Sequence, residues 1–136
     1  MECKNDYLCE KQINMDKLFE YSNRLIKETD TKFFRYMYDE INWKNRMIGL
    51  IGPRGVGKTT LVLQYIKQNL NPSETLYVTA EDFYFVDNRF TDLADTFVKY
   101  GGKYLFIDEI HYPNLNKIQT FPYNSLINSY SLSCQF

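Results

Sequence analysis

Nine residues in the first half of the chain have the types and spacing of a phosphate-binding loop. The segment GPRGVGKTT runs from Gly52 to Thr60, and its first eight residues satisfy the pattern G-x-x-x-x-G-K-[S/T]. Glycines let the backbone curl so that successive N–H groups point at an anion, and the helix expected to follow adds the positive end of its dipole. The pattern therefore predicts binding of the phosphate groups of a nucleotide.

Individual residues of this loop have distinct expected roles. Lys58 would reach the β- and γ-phosphates, and the Thr59 hydroxyl would ligate Mg²⁺. Thr60 is expected near the α-phosphate or in packing. Arg54 would touch a phosphate or face solvent, and solvent is favoured. The predicted nucleotide-binding set is Gly52, Pro53, Arg54, Gly55, Val56, Gly57, Lys58, Thr59 and Thr60.

A pair of carboxylates ends the apolar run YLFIDEIH, residues 104–111. In P-loop ATPases such a strand delivers an acidic residue beside Mg²⁺. Asp108 would hold the metal through water, and Glu109 would orient and deprotonate the attacking water. Solvated turn residues are the alternative interpretation, which the upstream phosphate loop disfavours. Lys58 and Glu109 are thus the predicted catalytic residues, and Thr59 and Asp108 the predicted metal-binding ones.

Three further polar residues lie near predicted strand ends. His111 follows the carboxylate pair and could sense nucleotide or contact a partner, although a lone histidine is more often structural. Glu81 and Asp82 end another predicted strand. Because ligands sit at the carboxyl ends of parallel strands, a supporting role in positioning water or metal is an open alternative for both.

Strands and helices alternate around these groups. Residues 46–52, 75–82 and 103–111 are apolar or β-branched and are typical of strands. Helices are expected over 59–70 and over 91–100, the second ended by glycines at 101 and 102. This alternation favours βαβ units and a mostly parallel sheet with helices on both faces, a three-layer α-β-α P-loop core.

Two amphipathic segments precede the first predicted strand. In residues 16–30, apolar side chains recur at helical spacing and Asp16 could cap the helix. A second helix is predicted over residues 31–44, with Thr31 as its cap. Its shared apolar face would pack in the core or, alternatively, bind a protein partner; that face comprises Phe33, Phe34, Met37, Tyr38 and Ile41.

Composition restricts the class of protein. The formal net charge of −1 does not indicate nucleic-acid binding by the chain as a whole. Three cysteines without a CxxC pair disfavour a disulfide framework or a zinc site. No apolar run approaches the ~20 residues that span a bilayer, and the polar start does not resemble a signal peptide. The chain is therefore predicted to be cytoplasmic, without membrane association.

The last nineteen residues differ in composition from the rest. Residues 118–136 contain no charged side chain and are rich in Ser, Asn, Tyr and Phe. This change favours a truncation or frameshift junction over a simple polar coil. The predicted organisation is a polar extension over 1–14, N-terminal helices over 15–44, a partial ATPase core over 45–117 and an atypical tail over 118–136.

Together these segments resemble a known family. GLIGPRGVGKTTLVLQYIK, LYVTAEDFYF and LADTFVKYGGKYLFIDEIHYPN are similar to the bacterial and archaeal AAA-type ATP-binding proteins of the AAA_14 kind, which often carry a DUF4143 domain downstream. The likeness runs from about residue 15 to about residue 117. It implies Mg²⁺-ATP as ligand, the Walker A role for Gly52 to Thr59, the Walker B metal role for Asp108 and the catalytic glutamate role for Glu109.

The resemblance also implies a sheet of order 5-1-4-3-2, whose fourth strand carries a polar sensor residue. The tail SLINSYSLSCQF could form a strand but lacks the apolar density of a buried central one. A gap is therefore expected between the first and third strands. Three outcomes are open: the tail fills this gap, the two strands pair directly, or the product is unstable.

Two classes of function follow from these patterns. The first is ATP binding by an AAA-type module, with hydrolysis to ADP and phosphate expected only if the core is complete. The second is a non-catalytic fragment or interaction module that keeps the Walker motifs in sequence only. A nucleotide kinase or GTPase is disfavoured because no convincing N-K-x-D guanine pattern occurs.

Overall fold

A four-stranded sheet forms the centre of the molecule. The computed structural model describes residues 6–110 and 129–135. The strands are β1 (Met47–Gly52), β2 (Thr75–Thr79), β3 (Tyr104–Ile110) and β4 (Ser129–Gln135), in the order β1-β4-β3-β2. β2 and β3 are parallel, whereas β4 pairs antiparallel with both β1 and β3, so three of the four strands run in one direction. The predicted α/β P-loop class with a mostly parallel sheet is confirmed.

Strand β4 comes from the uncharged tail and occupies the middle of the sheet. Gly49 and Ile107 both pair with Leu132, which shows that β4 separates β1 from β3. The backbone N–H and C=O groups of β1 and β3 that face each other thus have hydrogen-bond partners in β4. The prediction of a gap between β1 and β3 is therefore wrong, and so is the alternative in which these two strands pair directly. The order matches 1-4-3-2 of the expected arrangement, with an antiparallel fourth strand.

Helices cover both faces of the sheet. On one face, helix α3 (Lys58–Asn69) packs against Tyr77 and Phe106. On the other, the short helix α4 (Tyr84–Asp87) and helix α5 (Phe90–Lys99) pack against alternate residues of β2 and β3. Side chains of neighbouring strand positions therefore enter different cores, as the two-residue period of a strand requires. A 3₁₀ turn, Pro72–Glu74, connects α3 to β2.

Helix α1 (Asp6–Glu28) runs along the outer edge of β2. Met15 and Leu18 join the α5 core, and Ile26 joins the α3 core. Between them the buried Ser22 Oγ accepts a hydrogen bond from the Tyr77 backbone N–H at 3.0 Å. The helix thereby protects an edge strand whose donors would otherwise lack partners. The predicted helix is confirmed, but Asp16 lies inside it and is no cap.

The second predicted N-terminal helix is wrong over most of its length. Only α2 (Met37–Glu40) is helical within residues 31–44, and none of its residues is buried. Phe33 and Tyr36 are 75% and 79% exposed. The helical spacing of the aromatic residues does not produce a helix here, because contacts with α3 hold the segment in a non-helical path.

The predicted ends of the other elements agree with the structure to within a few residues. β2 stops at Thr79 rather than Asp82, and α5 begins one residue before the expected Thr91. Gly101 adopts a left-handed φ of 87° after α5, and the Gly102 N–H donates to the Phe97 carbonyl at 3.0 Å, which ends the helix as predicted. Over the described ranges, no helix combines the length and apolar character needed to cross a bilayer.

Candidate functional site

The loop between β1 and α3 has the backbone of an anion cradle. Gly55 and Gly57 have φ values of 82° and 90°, in the left-handed region that residues with a Cβ rarely adopt. Helix α3 begins at Lys58, immediately after this turn, so its free N–H groups lie at the loop. The local sequence explains this geometry, because two glycines supply the turn and the following Lys-Thr-Thr-Leu supplies a helix start.

Lys58 lies along the loop that precedes it. Its Nζ donates hydrogen bonds to the Gly52 and Pro53 carbonyl oxygens, both at 2.8 Å. These two carbonyls hold the ammonium group at the mouth of the cradle. An ammonium group held by neutral carbonyls keeps its full positive charge available to an anion.

Asp108 is the most buried polar group near the loop, with 1% of its surface exposed. Its Oδ2 accepts hydrogen bonds from the Thr59 hydroxyl and, at 2.8 Å, from the Tyr77 hydroxyl. Its Oδ1 accepts from the Glu109 N–H at 2.9 Å. A buried carboxylate needs such donors, and three of them fix its orientation. Thr59 and Asp108, the two residues that the sequence suggests as metal-binding, are therefore in direct contact.

Glu109 has an unusual backbone conformation for a residue inside a strand. Its φ is 53°, the one positive value among the described non-glycine residues. The register of β3 against β4 shifts between Ile107 and Ile110, which marks an irregularity at the acidic pair. Such irregularities re-aim side chains next to functional sites. Here the shift gives Asp108 and Glu109 different surroundings, Asp108 in the core and Glu109 at the loop.

Arg54 faces carboxylates as well as solvent. Its guanidinium lies 3.5 Å from Glu81 Oε1 and 3.9 Å from Glu109 Oε2, while its side chain is 70% exposed. Glu81 therefore joins the site, at the end of β2 where sequence reasoning left the question open. Asp82 has a different contact, since its Oδ1 accepts a hydrogen bond from the Tyr84 N–H at the start of α4. His111 lies outside the described residues.

A cavity of about 500 Å³ adjoins the loop. Its walls include Gly52, Pro53, Val56, Gly57 and Lys58 of the predicted set. The segment before β1 contributes a second part of the lining, and its members are Arg35, Tyr36, Met37 and Ile41. Thr60 is exposed on the first turn of α3. The cavity is open and largely apolar, and its basic lining residues are Arg35 and Lys58.

Sequence reasoning missed Tyr77 and Arg35 as members of this region. Tyr77 is the third residue of an apolar strand and looks like a core residue, which by burial it is. Tyr77 lies on β2, and the carboxylate pair lies on the neighbouring strand β3. Only the register of these two strands, in which Tyr77 is opposite Phe106, could have shown that Tyr77 is near the carboxylates. Arg35 lies in a segment whose predicted helix does not form.

Burial raises the pKa of the Tyr77 phenol, and the negative charge of Asp108 raises it further. A raised pKa in the folded state contributes stability that is complete below the unfolded pKa of about 10 and is lost as the pH rises above it. Tyr77 therefore remains a neutral donor to Asp108 throughout the physiological range.

We expect Tyr77→Phe to lower the free energy of unfolding by about 1–3 kcal/mol, because the buried Asp108 loses one donor. Urea unfolding at pH 7 would measure this change, and Tyr36→Phe, at an exposed tyrosine, is the control. The variant should also lose less stability than the wild type above about pH 10. Equal stability of the two proteins at pH 7 would contradict the role of this hydrogen bond.

Comparison with known proteins gives one match. The model of a protein family described as an AAA domain matches residues 44–120, more than half of the chain. The matched range contains β1, the loop, α3 and β3 with its carboxylates. Neither the curated proteins nor the solved structures include a match to the chain.

Proposed function

This chain belongs to the AAA domain family and carries a nucleotide-binding, ATPase-like module, and from that premise we propose that it binds Mg²⁺-ATP at the loop Gly52–Thr60. The observation that carries the proposal is the contact between the Thr59 hydroxyl and the buried Asp108 carboxylate. It joins the start of the phosphate-binding helix to the acidic strand, the two parts that a metal–nucleotide site needs together.

The loop suits the phosphate groups of a nucleotide. Left-handed turns at Gly55 and Gly57 and the start of α3 direct backbone donors toward one place. Lys58 would exchange its carbonyl partners for phosphate oxygens, which bind an ammonium group more strongly because they are charged. The side chains of Pro53, Arg54, Val56 and Thr60 would line the approach, while the backbone N–H groups of the loop would bind the phosphates.

Thr59 and Asp108 fit a magnesium ion, since both offer oxygen atoms. The described residues include no group of three or more His, Cys, Asp or Glu side chains suited to a metal, so phosphate and water oxygens would complete the coordination. When bound, the ion would neutralise charge on the phosphates. Tyr77 and the Glu109 N–H keep the Asp108 carboxylate in place for this task.

Glu109 is the proposed general base for hydrolysis. Its side chain is 24% exposed and faces Arg54, which also contacts Glu81. A carboxylate at this position can accept a proton from water, and the left-handed backbone aims it away from the core position of Asp108. Arg54 would have to release Glu109 before that carboxylate could act.

The apolar cavity beside the loop would receive the base of the nucleotide. Met37, Ile41 and Ile51 provide apolar walls, and Tyr36 provides an aromatic surface for stacking. The alternative, an interaction module without nucleotide, is favoured by one observation: Phe33 and Tyr36 are strongly exposed. Tyr36 lies on the cavity wall, so a bound base accounts for part of that exposure. The cytoplasmic location stays a prediction.

Glu109→Gln tests the proposal. We expect the variant to bind Mg²⁺-ATP with unchanged affinity but to hydrolyse it at least about 100-fold more slowly, the usual contribution of a general base. Calorimetric titration and phosphate release would measure the two effects, with Glu74→Gln, away from the loop, as the control. Wild-type protein that neither binds ATP nor gains thermal stability from it would reject the proposed function.

A further inference from the structure

The segment between α1 and β1 is fastened to α3 by a buried side chain. Gln64 lies on α3 and is 4% exposed. Its Nε2 donates to the Asp30 and Phe33 carbonyl oxygens, both at 2.8 Å. A buried amide requires partners, and here both acceptors belong to the chain just before Arg35. The path of this segment is therefore tied to the helix that begins at Lys58.

A second attachment lies further along the same segment. Trp43 stacks on Tyr65 of α3 with ring centroids 3.9 Å apart and an interplanar angle of 7°. Asn69, one turn further on, donates to the Tyr38 hydroxyl at 2.7 Å. Attachment on both sides of Arg35 restricts its backbone, so the position of this residue is set by α3 rather than by a helix of its own.

Arg35 lies against the turn of the phosphate loop. A Cβ atom placed on Gly57 would be 2.9 Å from Arg35 Nε and 3.3 Å from Nη2. The guanidinium thus occupies the space that a side chain at position 57 would need. In the part of the chain that the structure describes, Arg35 has no carboxylate within 4.0 Å, in contrast to Arg54. Arg35 and Lys58 both line the cavity beside the loop.

We propose that Arg35 is a second cation of the phosphate site, binding the phosphate oxygens that ATP and ADP share, and that Gln64 is its positioning residue. This inference depends on the proposed nucleotide site. A guanidinium presents several N–H donors in a plane and suits phosphate oxygens better than a single ammonium group. Its location at Gly57, beside Lys58, places the two charges on neighbouring parts of the cradle.

Calorimetric titration with ATP, ADP and adenosine tests this assignment. We expect Arg35→Ala to weaken ATP and ADP binding about tenfold or more, the loss of one charged hydrogen bond, and to leave adenosine binding unchanged. Arg35→Lys should recover part of the affinity. Lys32→Ala, an exposed cation of the same segment, is the control for net charge and should have no comparable effect.

Gln64→Leu keeps the volume of the side chain and removes both of its donors. We expect a several-fold loss of ATP affinity, and no further loss when Gln64→Leu is added to Arg35→Ala, because both changes act through one contact. Thermal melts would verify that each variant is folded. Unchanged ATP affinity in folded Arg35→Ala, or an equal loss for adenosine, would overturn the role of Arg35. Wild-type protein without ATP affinity would instead reject the nucleotide site itself.

Discussion

Replacement of Lys58 by alanine is expected to weaken Mg²⁺-ATP binding by about 100-fold or more while the protein stays folded. The loss corresponds to roughly 3 kcal/mol, the upper value for a hydrogen bond to a charged group, in a site where the ammonium group faces several phosphate oxygens. Stability should change little, because among the residues that the structure describes the Lys58 Nζ donates only to the Gly52 and Pro53 carbonyls of the loop.

Lys67→Ala is a closely matched control for this experiment. Lys67 lies on the same helix, and its Nζ also donates to two backbone carbonyls, those of Lys27 and Thr29, at 2.8 and 2.7 Å. The two variants remove the same charge and the same kind of hydrogen bond, but only Lys58 lies at the loop. Calorimetric titration should show the full loss of ATP affinity for Lys58→Ala and no loss for Lys67→Ala. Equal ATP affinity in both variants would mean that nucleotide, if bound, does not use the loop.

The substitution Leu132→Pro is expected to remove most of the stability of the fold. Leu132 pairs with Gly49 on one side and with Ile107 on the other, so β4 is internal to the sheet. Proline lacks the N–H and is excluded from central strands. The break leaves ladder groups without partners, at about 1–3 kcal/mol each, against a total stability of about 5–15 kcal/mol for a domain.

Leu132→Val is the matched control, because valine keeps the backbone donor and favours strands. Circular dichroism melts should show a cooperative transition for the valine variant and a much lower or absent one for the proline variant. If both variants melt like the wild type, the tail does not pair between β1 and β3 in solution. A proline variant that melts early but regains its transition with Mg²⁺-ATP would show that the site forms with a weakened sheet.

Short-range patterns explain why much of this fold was predictable. The apolar runs that became β1, β2 and β3 and the helical spacing of α3 and α5 are local properties, which burial in a two-faced core reinforces. The glycines at 55 and 57 mark the turn because only glycine takes their φ without strain. The same reasoning failed over residues 31–44, where Gln64 and Tyr65 fasten the segment to α3 and outweigh helical propensity.

By itself, the sequence determined the glycine-rich loop, the acidic strand end and the alternation of elements, because each depends on residue types at fixed local spacing. The tertiary structure decided which segment pairs between β1 and β3, since backbone pairing of Ser129–Gln135 depends on partners far away in the chain. It also decided the surroundings of each site residue. Tyr77 reaches Asp108, Glu81 reaches Arg54 and Arg35 reaches Gly57 only through packing of distant elements, which no local pattern encodes.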